Sequence, residues 1–182
     1  GQTFAFPGSK ENGSLYDRRI RLVYERIHMS YAPFENQMGI PTEMSLKKIG
    51  DIYRLCSLPV EEIRSIYENT EKAENIVLRK GESRRISLKP CAYDIQFNSK
   101  MNTGRFSVTV FGINMTIMPD RNKLIIEKQH SEMNDMPLSY RGKDINIRMI
   151  VDAAGIEIFS DGGLVYSTSA VQSDFGMAYI RF

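Results

Sequence analysis

Two carboxylates in the last third of the chain have the spacing of a catalytic pair. Asp152 and Glu157 flank a short Ala-Ala-Gly turn, which would place them at one end of a hairpin. Retaining glycosidases hold two carboxyl groups about 5 Å apart, one as nucleophile and one as acid/base. The same residue types near hairpin ends more often accept backbone hydrogen bonds or pair with basic side chains. We therefore favour a structural role over ligand contact, and ligand contact over catalysis.

No other group of residues has the spacing of a metal, cofactor or nucleophile site. The two histidines, His28 and His130, lack carboxylate or cysteine partners at ligand spacing. No glycine-rich phosphate loop follows a strand, and no Ser-His-Asp arrangement is visible. The two cysteines, Cys56 and Cys91, lie among apolar neighbours, and we expect both to be buried free thiols. The sequence therefore implies no metal and no cofactor.

Size and charge exclude several classes of protein. The 182 residues suffice for one domain, or for one domain and part of another. A net charge of +2, from 24 basic and 22 acidic residues, is too balanced for a dedicated binder of nucleic acid or anionic membranes. The basic cluster Arg18, Arg19, Arg21 and Arg26 is accordingly expected to be a solvated face. No apolar run reaches the about 18 residues that a membrane-spanning helix needs.

Most of the chain after residue 75 alternates polar and apolar side chains in short runs. Period-two alternation with β-branched residues predicts strands that are buried on one face. Turn-forming residues separate the runs at a spacing typical of a sandwich or a barrel, and two packed sheets are needed to cover the apolar faces. The runs are 75–80, 85–89, 93–97, 105–110, 113–118, 124–126, 145–151 and 156–159.

The first seventy residues follow a different pattern, with one strand-like run at 19–24 among turn-rich and proline-containing stretches. Residues 59–67 (PVEEIRSIY) are the best helix candidate, because proline starts the segment and two glutamates complement the positive end of the helix dipole. Val60, Ile63 and Tyr67 would share one face of that helix. The sequence thus predicts an irregular lead-in, a short helix and an all-β domain.

Three motifs, in order, resemble one enzyme family. Residues 151–163 (VDAAGIEIFSDGG) resemble the C-terminal sandwich of glycoside hydrolase family 32, the invertase, levanase and inulinase family, which carries an Asp, a short turn, an aliphatic-Glu-aliphatic-Phe strand and an Asn/Asp-Gly turn there. Residues 38–46 (MGIPTEMSL) are similar to its Pro-Arg-Glu-Leu-x-Leu segment, with Thr42 in place of the usual Arg. Residues 53–63 (YRLCSLPVEEI) look like its Leu-x-Gln-x-Pro-x-x-Glu-Leu linker.

The resemblance implies a fold and a missing part. Residues 2–4 and 17–20 also resemble the start of the family's last propeller blade, so the match covers nearly the whole chain. The fold it implies is an all-β, two-sheet antiparallel β-sandwich (concanavalin- or lectin-like) over residues 68–182. A remnant of the last propeller blade (1–58) and a linker helix (59–67) would precede the sandwich.

The family's catalytic residues lie in the Asn-Asp-Pro, Arg-Asp-Pro and Glu-Cys motifs of a five-bladed propeller. This sequence has no Asp-Pro or Glu-Cys dipeptide. Residues 134–137 (NDMP) mimic the nucleophile motif, but Met136 interrupts it, and we expect a turn there. The resemblance therefore implies no catalytic residue in this chain, and leaves Asp152 and Glu157 as weak candidates for ligand contact.

The function that the resemblance implies is that of a C-terminal accessory module of a fructan- or sucrose-hydrolysing glycosidase, inactive alone. A stand-alone carbohydrate-binding, lectin-like module is the alternative. The expected partners are the catalytic propeller of the same enzyme, a fructan or sucrose, and a second copy of the chain joined through the exposed propeller remnant. Nucleic acid and membranes are not expected partners. Family resemblance implies an extracellular or periplasmic location.

Overall fold

Antiparallel β-strands make up nearly all of the regular structure. The computed structural model describes residues 2–6, 10–11, 14–15, 18–22, 24–26, 36–100, 105–127, 134–137, 144–171 and 173–182. These residues form a four-stranded N-terminal sheet, a linker with a short 3-10 helix, and two further sheets, of four and six strands, that share a core. The prediction of an all-β sandwich is confirmed, because the period-two alternation buries one face of each long strand.

The N-terminal sheet is built from four of the first eight strands. The eight strands are β1 (Gln2–Phe6), β2 (Lys10–Glu11), β3 (Ser14–Leu15), β4 (Arg18–Leu22), β5 (Tyr24–Arg26), β6 (Asn36–Met38), β7 (Thr42–Ile49) and β8 (Ile52–Pro59). The order in the sheet is β1–β4–β7–β8, and β2–β3 and β5–β6 form two small ribbons. The β7–β8 hairpin turns at Gly50, whose φ of +61° suits glycine because it has no Cβ to clash. The long β7–β8 pair is thus fixed in register by its turn.

The linker contains a 3-10 helix over Glu61–Ile66, none of whose residues is buried. The predicted strand at 75–80 is wrong: this segment is exposed and forms no ladder. Asn75 takes a left-handed φ of +57°, and Glu82 turns back to accept the backbone N–H of Arg79 at 2.9 Å. The apolar residues in this run therefore mark an unpaired segment, because strand propensity acts only where a neighbouring strand supplies a partner.

Two sheets form the sandwich. Its strands are β9 (Arg85–Ser87), β10 (Tyr93–Ser99), β11 (Phe106–Val110), β12 (Ile113–Met118), β13 (Lys123–Glu127), β14 (Asn134–Pro137), β15 (Ile145–Val151), β16 (Gly155–Ser160), β17 (Val165–Ala170) and β18 (Tyr179–Arg181). The four-stranded sandwich sheet has the order β10–β15–β16–β17. The six-stranded sheet has the order β14–β13–β12–β11–β18–β9. Three further 3-10 turns lie at Pro119–Arg121, Asp161–Gly163 and Phe175–Met177.

The core lies between these two sheets and draws alternate residues from both. Each fully buried aliphatic side chain contributes about 1.5–3 kcal/mol relative to its exposed state. The six-stranded sheet contributes Val108, Val110, Ile113, Met115, Ile117, Leu124, Ile126 and Ile180, and the four-stranded one contributes Ile145, Ile147, Met149, Val151, Ile156 and Ile158. The intervening residues of each strand point away from the core, and on the four-stranded sheet Asp94, Arg148 and Glu157 contact the linker or the N-terminal part of the chain.

Phe111 closes the core at one end. It sits in a two-residue turn with Gly112 between β11 and β12, at a φ of +45° that a bulky residue rarely adopts. Its ring is fully buried and meets Phe175 edge-on, with centroids 4.9 Å apart. We attribute the unusual backbone to this burial, which offsets the local cost.

Two further expectations are corrected. Residues 134–137 form β14 at the edge of the six-stranded sheet rather than a turn, and Pro137 lies at the strand end, where an edge strand tolerates proline. Cys56 is buried, but Cys91 is exposed, because it lies in the turn that precedes β10. Both cysteines are free thiols.

Candidate functional site

Asp152 is committed to its own turn. Its Oδ1 atom accepts the backbone N–H groups of Ala154 at 2.8 Å and Gly155 at 2.7 Å. This is an Asx turn, in which a short carboxylate replaces a backbone acceptor. The turn closes the β15–β16 hairpin and leaves Asp152 exposed to solvent.

Glu157 is used differently. Since Ile156 and Ile158 point into the core, the side chain of Glu157 lies on the opposite face of its sheet, where it is only 7% exposed. One carboxylate oxygen accepts the backbone N–H of Ile40 at 2.5 Å, and the other accepts the hydroxyl of Tyr166 at 2.7 Å. A buried carboxylate requires such donors. Asp152 and Glu157 thus serve two separate sets of hydrogen-bond partners.

Aromatic and basic side chains surround this carboxylate. The ring of Tyr166 stacks on Phe159, with centroids 4.8 Å apart and planes inclined by 21°. The guanidinium carbon of Arg21 lies 5.8 Å from the centroid of the Tyr166 ring, within reach of a cation–π attraction. Phe159 is buried on this face, outside the main core. The part of the outer face formed by β16 and β17 therefore packs against the N-terminal part of the chain.

Glycines allow the two parts of the chain to approach closely. A Cβ at Gly163 would lie 2.6 Å from the carbonyl oxygen of Ser57, and one at Gly39 would lie 3.1 Å from a Glu157 oxygen. Only glycine leaves room for backbone at the first of these distances. Beside Gly163, the Nζ atom of Lys47 donates to the carbonyl of Gly162 at 2.7 Å. These contacts hold the β7–β8 hairpin against the turn that follows β16.

A second polar cluster joins the linker to the same sheet. Arg148 donates from Nε and from one terminal nitrogen to the Asp94 carboxylate, at 3.0 and 2.6 Å, and their side chains are only 17% and 7% exposed. Tyr67, immediately after the 3-10 helix, donates its hydroxyl to Asp94 and accepts from Arg148 at 3.2 Å. A bidentate ion pair with low exposure is among the stronger polar contacts in proteins.

The environment of this cluster shifts two pKa values. Burial raises the pKa of Tyr67 above its ordinary value, the hydrogen bond and negative charge of Asp94 raise it further, and Arg148 opposes them. Burial lowers the pKa of Arg148, but the hydrogen bonds and charges of Asp94 and Tyr67 more than offset this and raise it overall. The cluster therefore favours the protonated hydroxyl and the charged guanidinium.

Sequence reasoning identified Asp152 and Glu157 but missed the partners of Glu157 and the whole second cluster. Asp94 and Arg148 each occupy an outward position of an alternating strand, and they lie directly across from Ile150 and Gln96. The available signal was opposite charges at outward positions of two strands that pair. It could be used only once the pairing of β10 with β15 was known.

Two candidate residues of the sequence analysis, His28 and His130, lie outside the described residues. Within the described residues, no group of three His, Cys, Asp or Glu side chains could hold a metal ion. No helix in the described part of the chain is long and apolar enough to cross a membrane.

Comparisons with known proteins identify a family and a fold for this chain. The sequence model of the glycosyl hydrolases family 32 C-terminal domain matches residues 60–179. Comparison with curated protein sequences finds no match.

Among solved structures, exo-inulinase from Aspergillus awamori aligns with a TM-score of 0.66 and 16% identity, over 90% of this chain and 37% of that one. The β-fructofuranosidase of Bombyx mori aligns with a TM-score of 0.64 and 19% identity, over 98% and 36% of the two chains. The fructofuranosidase of Schwanniomyces occidentalis, in complex with fructose, aligns with a TM-score of 0.63 and 13% identity, over 98% of this chain and 43% of that one.

The present chain thus spans about two fifths of the length of these enzymes. At such identities the structural likeness establishes the fold, while the family is established by the sequence model, which covers well over half of the chain. The protein belongs to the family of C-terminal domains of glycosyl hydrolases family 32.

Proposed function

We propose that this chain is the accessory module of a fructan- or sucrose-hydrolysing enzyme, and that it stabilises the last blade of that enzyme's catalytic propeller. The observation that carries the proposal is the Glu157 carboxylate, which reaches out of the sandwich to the backbone of Ile40. Ile40 lies in the segment that leads into β7. A side chain that fixes the backbone there restrains the entry of the chain into the N-terminal sheet. Family membership and the enzymes named above supply the substrate class.

Exposed apolar side chains on the N-terminal sheet support the proposal that another part of the enzyme packs against it. On β7 and β8, Leu46 and Leu55 lie directly opposite one another and are 68% and 52% exposed. Tyr53 lies on the same face and is 65% exposed. A contiguous exposed apolar face of this kind marks an interaction surface. In the whole enzyme we expect adjacent parts of the propeller to cover this face. In the isolated chain we expect a second copy to cover it.

The isolated chain is proposed to hydrolyse nothing. Of its two candidate carboxylates, Asp152 is held by two backbone N–H groups and Glu157 is buried against Ile40 and Tyr166. Neither arrangement leaves a nucleophile and an acid on opposite sides of a glycosidic bond, which the double-displacement mechanism requires.

Two measurements test this proposal. Purified chain is incubated with sucrose, inulin and levan, and no fructose release above the buffer blank is expected. Release that disappears in Glu157→Gln would overturn the proposal and make this residue catalytic. Hydrogen exchange by NMR then reports on the blade: the Ile40 amide should be protected in the native chain and exchange faster in Glu157→Leu. An Ile40 amide that exchanges freely in the native chain would contradict the proposed stabilising role.

A further inference from the structure

A straight row of polar side chains crosses the outer face of the six-stranded sheet. Arg85 pairs with Arg181, Arg181 with Thr109, Thr109 with Asn114, and Asn114 with Glu127 in the register of five neighbouring strands. Directly paired residues point to the same face, so these five side chains lie in line. At about 4.8 Å per strand, the row is about 19 Å long.

The side chains in the acidic half of the row are held in place by one another. The Thr109 hydroxyl donates to the Asn114 side-chain carbonyl at 3.2 Å, and the Asn114 amide donates to the Glu127 carboxylate at 2.7 Å. A parallel pair, Ser107 and Thr116, lies 3.2 Å apart on the same face. Short side chains fixed in this way lose little entropy when a ligand binds.

The other half of the row presents two guanidinium groups, those of Arg85 and Arg181. Arg85 and Arg181 lie directly opposite each other, an arrangement of like charges that is unfavourable by itself. The Arg85 guanidinium carbon lies 3.8 Å from the centroid of the Tyr179 ring, within reach of a cation–π attraction. Neither arginine makes an ion pair within the part of the chain that the structure describes.

The distribution of charge along the row selects the chemistry of its ligand. An anion would gain at the arginines and lose at Glu127, and a cation would do the reverse. A neutral chain that carries hydroxyl donors and acceptors along its whole length can engage both halves. We propose that this row, with the Tyr179 ring beside it, is a binding surface for a neutral oligosaccharide lying across the strands.

This surface is separate from the contact that carries the proposed function. Glu157 and Tyr166 belong to the four-stranded sandwich sheet, whereas the row belongs to the six-stranded one. It therefore stays accessible while the N-terminal sheet is docked. Only the choice of fructans as probes rests on the proposed function.

Amide chemical shifts of the full chain, titrated with inulin-type and levan-type oligosaccharides, test the proposal. We expect saturable shifts at β18, β11, β12 and β13. Asn114→Ala and Arg181→Gln should each weaken binding about five- to tenfold, which is the loss of one or two hydrogen bonds. Asn146→Ala, an exposed asparagine on a strand of the other sheet, is the matched control and should leave binding unchanged. Thermal unfolding of each variant verifies that it is folded.

Three results would overturn the inference. The first is no saturable shift at millimolar sugar, and the second is binding that the two row variants leave intact. The third is tighter saturation of the same amides by inorganic phosphate, which would mark an anion site. None of these outcomes changes the protection of Ile40, so this inference and the proposed function fail separately.

Discussion

The Glu157 carboxylate accepts the backbone N–H of Ile40 across 117 positions of sequence. This contact joins the middle of a sandwich strand to the segment that leads into β7 of the N-terminal sheet. Gly39, immediately before it, provides the space, since a side chain there would meet the same carboxylate. The carboxylate of the motif that resembles the family thus joins two distant parts of the chain.

Replacing this carboxylate should lower the free energy of unfolding, and Glu157→Gln should lower it less than Glu157→Leu. In Glu157→Gln, the amide oxygen can still accept from Ile40, and the amide nitrogen can donate to the Tyr166 oxygen. In Glu157→Leu, the Ile40 donor loses its partner, and we expect a loss of about 1–3 kcal/mol in the free energy of unfolding. Equilibrium unfolding in urea measures both variants.

The control for this series is Glu61→Gln. Glu61 is exposed and pairs with Arg64 at 3.3 Å within one turn, a contact worth at most about 0.5 kcal/mol. If Glu157→Leu lowered the free energy of unfolding no more than this control does, the contact with Ile40 would contribute nothing to stability.

Gly163 and Gly50 separate two costs of adding a side chain. Both have left-handed φ values, +88° and +61°, but a Cβ at Gly50 meets nothing within 4 Å, whereas one at Gly163 meets the Ser57 carbonyl oxygen. Gly50→Ala should cost about 1 kcal/mol, from backbone strain alone. Gly163→Ala should cost about 2–4 kcal/mol, because β8 must also move away. Equal losses in a urea titration would mean that β8 is not held tightly against the sandwich.

Tyr67→Phe should alter how stability depends on pH. The pKa of Tyr67 is raised in the folded chain. The contribution of its hydroxyl to the free energy of unfolding is therefore fully present below the unfolded pKa of about 10 and is lost as the pH rises through the folded pKa. Below pH about 10, we expect the free energy of unfolding of the native chain to exceed that of Tyr67→Phe by about 0.5–1.5 kcal/mol, which is the contribution of one hydrogen bond. That difference should shrink in more alkaline buffer. Thermal unfolding of both proteins across this pH range measures the difference. A difference in stability that stays constant at every pH would refute the assigned role of the hydroxyl.

Leu55→Glu should reduce self-association of the isolated chain. Leu55 lies in the middle of the exposed apolar face on β7 and β8, directly opposite Leu46, and a charge there would be costly to bury against a second copy. Ile66→Glu is the control, because Ile66 is 74% exposed but lies on the linker helix. Sedimentation velocity should show a dimer for the native chain and for the control, and a monomer for Leu55→Glu. A monomeric native chain would show that this face does not join two copies.

The long strands could be predicted from the sequence because burial on one face leaves a mark at every second residue. β12 and β15 begin and end at the predicted positions, since alternation and the flanking turn residues agree there. The segment at 75–80 carries the same apolar signal but has no neighbouring strand, so the prediction failed. Alternation records which side chains a strand can bury, and it does not record whether a partner strand is present.

The sequence by itself determined the all-β class, the hairpin around Asp152 and the presence of a glutamate on the strand that follows. Local spacing is sufficient for these features, because a turn and a pleat involve residues only a few positions apart. The tertiary structure decided that Glu157 meets Ile40, that Asp94 meets Arg148 and Tyr67, and that five polar residues from separate strands form one row. Each of these contacts depends on the register and order of strands, which are set by the packing of the whole core and not by any one segment.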